Sequence, residues 1–149
     1  MSALTLKDAK AHIYVDYDED DSLIQDKLEA AELRAAEFMG RYFYSDDVQL
    51  LAAQNEVASI LDNSKTKTDE LLSNASAANK VFFNKAAKGI LRDSEKEARM
   101  RMNGLVINAQ IRAGVLLILG YLFESREDSE LMPKAAEQLL QPYRKDLGV

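Results

Sequence analysis

Asp16, Asp18 and Asp20 have the alternating spacing of the first three ligands of an EF-hand calcium loop. The match then fails twice. Asp21 stands where the turn glycine belongs, and Lys27 stands where the bidentate glutamate belongs. These carboxylates fit better as a solvated acidic turn before a helix N-terminus, where negative charge is favourable. His12 is the single histidine and a candidate general base. No GxSxG, HExxH or glycine-rich phosphate loop accompanies it, and the chain has no cysteine. A surface or packing role is expected for His12. Neither a catalytic residue, a metal site nor a cofactor is expected, and the protein is not expected to be an enzyme.

Cations give a second constellation. Lys85, Lys88, Arg92, Lys96 and Arg99 are spaced 3, 4, 4 and 3 residues apart, so a continuous helix would carry them as one stripe. Residues 80–101 hold 7 basic and 3 acidic groups. Two readings fit: a solvated helix face, or a patch facing DNA phosphates or an acidic partner.

The elements that must carry these residues are helical by periodicity. Residues 108–127 include an uncharged, largely apolar run from 113 to 123. Ile111, Val115, Ile118 and Leu122 make one stripe, and Leu116, Leu119 and Phe123 a second, which predicts a central helix buried on most sides. The run is shorter than the 18–20 or so residues of a membrane span, and Arg112 and Glu124 bound it. Thr5 and Asp8 have capping-box spacing for a first helix ending near Val15, with Leu6, Ala9 and Ile13 on one face. Ser22 and Gln25 are a second capping-box pair, opening a helix that runs to about Arg41. Its seam is Ile24, Leu28, Ala31, Ala35, Phe38 and Tyr42, and Gly40 is its stop signal.

The middle third is polar and rich in Ala, Asn, Ser and Lys. A helix is expected over 48–61, with Leu51, Gln54, Ala58 and Leu61 along one side. The stretch DNSKTKT, 62–68, reads as a loop. From Asp69 a further pattern (Leu71, Ala75, Ala78, Phe82, Ala86) runs towards Arg101, with a possible break at Gly89. With few large apolar groups, this region should pack loosely, project, or order against partners. A last helix is expected over 133–141, with Ala136, Leu139 and Leu140 as its apolar face.

Length, 149 residues, fits a single domain over 1–149. The opening residues lack the apolar stretch of a signal peptide, so a soluble intracellular product is expected. Net charge is −6, which argues against general nucleic-acid binding. The acidity is concentrated: residues 1–44 carry 5 basic and 10 acidic groups, whereas 45–104 carry 9 of each. A DNA-binding regulator using the first two helices is therefore disfavoured, and a generic intracellular helical interaction module is the main alternative.

Three blocks carry a resemblance. LTLKDAKAHIYVDYDEDDSLIQDKLEAAE (4–32), LLILGYLFESRE (116–127) and LLQPYR (139–144) resemble, in order, segments of the small head–tail connector, or adaptor, proteins of long-tailed bacteriophages. Residues 45–104 fall outside these blocks and form an insertion. The proline that often precedes the family's third helix is missing near 105–111. The resemblance implies an all-α bundle around a central apolar helix, with a long helical or partly extended insertion. It implies a structural virion protein of the neck that assembles in the host cytoplasm. Such adaptors form a ring, commonly of twelve copies, beneath the portal protein. The ring extends the DNA channel and offers a platform to a downstream neck or tail-completion protein, with only transient, non-specific DNA contact and no membrane. Leu139, Leu140, Tyr143 and Arg144 become candidates for portal docking. Tyr42, Phe43, Tyr44, Arg126 and Glu127 become candidates for the subunit interface.

Overall fold

The fold is known from a computed structural model, which describes residues 3–76, 78–124 and 132–145. It is predominantly all-α. Thr5 caps α1 (Leu6–Ile13) with the expected reciprocal box: its hydroxyl accepts from the Asp8 N–H at 3.1 Å, and the Asp8 carboxylate accepts from the Thr5 N–H at 3.3 Å. α1 ends at Tyr14, whose backbone is left-handed at φ 57°. An acidic turn leads into α2 (Asp21–Met39). This helix starts one residue before Ser22, with Asp20 at the cap and no side-chain capping bond, so the Ser22–Gln25 box is not formed. Gly40 adopts φ 67° and stops α2, a conformation that costs glycine little.

The chain continues through β1 (Phe43–Tyr44), α3 (Asp47–Asn55), α4 (Val57–Ser73), α5 (Lys80–Met102), β2 (Leu105–Val106), α6 (Ala109–Glu124), α7 (Lys134–Leu140) and a 3-10 turn (Gln141–Tyr143). The body is α1, α2, α6 and α7. Ile111, Val115, Ile118 and Leu119 of α6 are fully buried, as are Ile24, Leu28, Ala31 and Ala35 of α2 and Ala136 and Leu140 of α7. Each large side chain among them contributes about 1.5–3 kcal/mol. The small α2 residues let α6 approach closely. Leu116, Leu117, Leu122 and Phe123 are only partly buried, so α6 is central but not enclosed on every side.

Residues between β1 and β2 leave the body and return beside their point of departure. The two strands are parallel, pairing Phe43 with Leu105 and Tyr44 with Val106. A parallel pair requires a long crossover, and here the crossover is three helices. α4 and α5 pack along one another as a hairpin, and α3 sits at its base. The hairpin seam is made of small residues: Ser64, Thr68, Ala87 and Ala98 are buried.

Several sequence expectations are corrected here. Residues 62–68 are not a loop but the middle of α4. The Ser64 hydroxyl donates to the Leu61 carbonyl at 2.8 Å and the Thr68 hydroxyl to that of Lys65 at 2.7 Å. Self-satisfied hydroxyls let polar residues occupy a helix–helix seam. The single helix expected over 48–61 is divided at Glu56, and Leu51 is exposed. α5 runs unbroken through Gly89. Phe82, expected on an apolar seam, is exposed, because α4 ends at Ser73 and α5 starts in a new register. No helix among the described residues is long and apolar enough to cross a membrane.

Candidate interaction surfaces

The C-terminal segment is strapped across the body. Leu140 is completely buried against Gly114, where an added Cβ would lie 2.9 Å from two Leu140 carbons. Leu140 thus seats α7 on α6. Around it, the Tyr143 hydroxyl donates to Gln110 Oε1 at 2.5 Å, and the Arg144 guanidinium lies 5.5 Å from the centre of the Phe38 ring. The Lys145 N–H donates to the Met39 carbonyl at 2.8 Å. Leu139 and Tyr143 are half-buried and Arg144 is exposed, so these three present a surface and Leu140 fixes it.

The aromatic run lies on a groove. Phe43 is nearly buried in the core, while Tyr42 and Tyr44 are half-buried. With Leu33 of α2 and Val48 of α3, these residues line an apolar depression of about 670 Å³. Glu29, Glu32, Glu56 and Arg101 also line it. Arg101 is held by Glu97 at 2.9 Å and Glu56 at 2.8 Å. Burial opposes its charge, but these carboxylates keep its pKa above the ordinary value. Burial also raises the pKa of Tyr42 and Tyr44, so both phenols stay neutral donors. Tyr42, Phe43 and Tyr44 were legible as an aromatic run. Leu33 and Val48 were not, because only tertiary packing places them opposite it. Arg126 and Glu127 lie outside the described residues.

The five cations of the α5 stripe, Lys85, Lys88, Arg92, Lys96 and Arg99, are all exposed. At 100° per residue they fall on the helix face opposite the α4 seam. Arg92 pairs with Asp93 at 3.2 Å and Arg99 with Glu95 at 3.6 Å, contacts worth little at such exposure. At the far end of the hairpin, Val81 and Phe82 are exposed, and Phe82 meets Phe83 edge-on with centroids 5.9 Å apart. The sequence signal for this tip was the Val81–Phe82–Phe83 run directly after the polar turn.

The acidic turn is occupied by the protein's own cation. Lys10 Nζ lies 2.7 Å from Asp18 and 2.6 Å from Asp21. The hydrogen bond from Lys10 lowers the Asp18 pKa, and the Lys10 pKa is raised in return. His12 is half-buried and lies over Gly120 of α6, a packing position. Among the described residues no group of three or more His, Asp or Glu side chains is placed to hold a metal ion.

Comparison with known proteins assigns the chain to a family. No curated protein and no solved structure matches the chain. One family model does, the phage gp6-like head-tail connector protein, over residues 3–91. The match takes in the first resembling block, 4–32, and continues through α3, α4 and the first half of α5, so most of the middle third lies within the family's pattern. The match stops short of the blocks at 116–127 and 139–144. It covers well over half of the chain, and the family is structural rather than catalytic. The chain therefore belongs to the phage gp6-like head–tail connector proteins, components of the bacteriophage virion.

Proposed function

We propose that the protein forms a ring, of twelve copies, beneath the portal at the capsid vertex, extends the DNA channel there, and receives the next neck or tail-completion protein. Family membership is the observation that carries this reading. The surfaces support it. The body buries its own core, yet leaves the Tyr42–Tyr44 groove and the hairpin tip uncovered, as expected of a subunit that meets copies of itself. Leu139, Tyr143 and Arg144 form the portal-docking surface in this reading, with Leu140 as its internal support. Arg126 and Glu127 belong, with Tyr42, Phe43 and Tyr44, to the subunit interface in this reading. The stripe Lys85, Lys88, Arg92, Lys96 and Arg99 faces passing DNA, or an acidic partner surface, and touches DNA only weakly, since the acidity of the rest prevents a tight hold that would arrest its movement.

Electron microscopy of the purified protein mixed with its portal tests the reading. Rings stacked coaxially on the portal are expected. A small species that ignores the portal would support the generic interaction module instead. The docking surface has its own test. Arg144→Glu is expected to lower portal capture about tenfold or more, the loss of roughly 1.4 kcal/mol at a contact, while leaving the melting temperature nearly unchanged.

A further inference from the structure

Among the apolar features that the described residues leave uncovered, two lie at opposite ends of one continuous helix. The first is the groove between α2, β1 and α3, with Leu33 53% and Val48 77% exposed on its walls. The second is the hairpin tip, where Val81 is 84% and Phe82 71% exposed. Arg101 lines the groove and Phe82 stands at the tip, both on α5. Nineteen residues of continuous helix separate them, about 28 Å at 1.5 Å per residue. α5 is unbroken through Gly89, so the tip has no route back to the groove of its own chain.

We propose that the groove of one copy receives the hairpin tip of the next, with Phe82 and Val81 inserted between Leu33, Tyr44 and Val48. The proposal rests on the ring reading and names the contact that would build the ring. Charge favours this occupant. Among the described residues that line the groove, Glu29, Glu32 and Glu56 are acidic and Arg101, paired with Glu56, is basic, and residues 1–44 carry five more acidic than basic groups. The tip brings Lys80, Lys85 and Lys88, all exposed, with no acidic residue over 80–88, against Asp69 and Glu70 one turn before the end of α4. Opposite potentials steer the encounter and fix its orientation. Size also agrees: a depression of about 670 Å³ admits two large side chains, as pockets of roughly 300–1,000 Å³ enclose small ligands. The two surfaces differ, so the contact is heterologous and head-to-tail. Contacts of this kind close into rings when the rotation per copy divides a full turn.

The chain has no cysteine, which gives a clean test. Ala52→Cys in the groove and Ala78→Cys beside the tip are made as separate proteins, mixed, treated with a short bismaleimide, and analysed by mass spectrometry, alone and on portal particles. Both positions are exposed and keep Phe82, Val81 and Val48 in place, so the substitutions should leave fold and contact intact, which circular dichroism checks for the fold. The mixed 52–78 bridge is expected to exceed either homodimer bridge at least tenfold. Rings on the portal without that bridge would overturn the tip-in-groove contact and leave the ring reading standing. The bridge in protein that never decorates the portal would keep the contact and remove the ring reading. Homodimer bridges in excess, at either site, would overturn the head-to-tail arrangement.

Discussion

The body and the hairpin solve the packing problem in different ways. In the body, α6 brings Ile111, Val115, Ile118 and Leu119 against α2 and α7, and large side chains supply the burial. In the hairpin, α4 and α5 meet over Ser64, Thr68, Ala87 and Ala98, which allow close approach but remove little apolar surface from water. The body's charges are tied to its fold. Arg112 reaches Asp8 at 2.8 Å, Lys10 closes the acidic turn, and Lys27 caps the Leu122 carbonyl at the end of α6. On α5 the stripe Lys85, Lys88, Arg92, Lys96 and Arg99 is exposed, while Arg101 is held at the groove by Glu56 and Glu97. One region therefore keeps itself folded, and the other is built to reach away from it. A connector subunit needs both: a part that keeps its shape while neighbours change, and a part free to meet them.

Mutations should separate the two regions by size of effect. Ile118→Ala or Leu119→Ala is expected to cost about 2–5 kcal/mol in denaturant unfolding, because a fully buried side chain would leave a cavity. A cost below roughly 1 kcal/mol would deny α6 its central place. Gly114→Ala should cost about 1–3 kcal/mol by overpacking Leu140. Adding Leu140→Ala should then cost less than it does in the parent, which a double-mutant cycle would read as coupling.

Smaller effects follow at the caps. Thr5→Ala removes the α1 box and should cost about 0.5–2 kcal/mol in the same unfolding measurement. The hydrogen bond from the Thr5 side chain is the main cause holding the Asp8 pKa below its ordinary 3.8. A depressed carboxylate stabilises the fold above the unfolded-state pKa, and that stability is lost as pH falls through the folded-state value. Parent and Thr5→Ala should therefore differ most above pH 3.8 and converge in stronger acid, as acid titration of unfolding would show. In the hairpin the sign reverses. Gly89→Ala places a methyl group where nothing lies within 4 Å, in mid-helix, and should slow hydrogen exchange along α5 by stabilising the helix by about 0.5–1 kcal/mol.

The same contrast explains what the sequence disclosed. α6 was legible because an uncharged apolar run at helical spacing has few other fates. Thr5 with Asp8, and Gly40, were legible because caps are local chemistry. Residues 62–68 were misread because composition alone counts Ser and Thr as loop formers, and their bonding to Leu61 and Lys65 carbonyls is invisible before the helix exists. Ser22 lost its cap because α2 begins one residue earlier, at Asp21. β1 and β2 are two residues each and leave no periodic trace. Of the surfaces, the basic stripe and the aromatic run could be read from spacing. The groove opposite Tyr44 and the bare tip at Phe82 depend on where the chain crosses over and turns, which spacing does not record.

Hydrogen exchange followed by mass spectrometry, on the free protein and on portal-bound particles, tests the division most directly. Free protein should exchange slowly in α2 and α6 and faster throughout α4 and α5. On assembly, protection should rise at residues 42–52 and 80–88 and stay unchanged in the core of α6. Equal protection of hairpin and body in the free chain, or assembly that protects neither groove nor tip, would contradict the account.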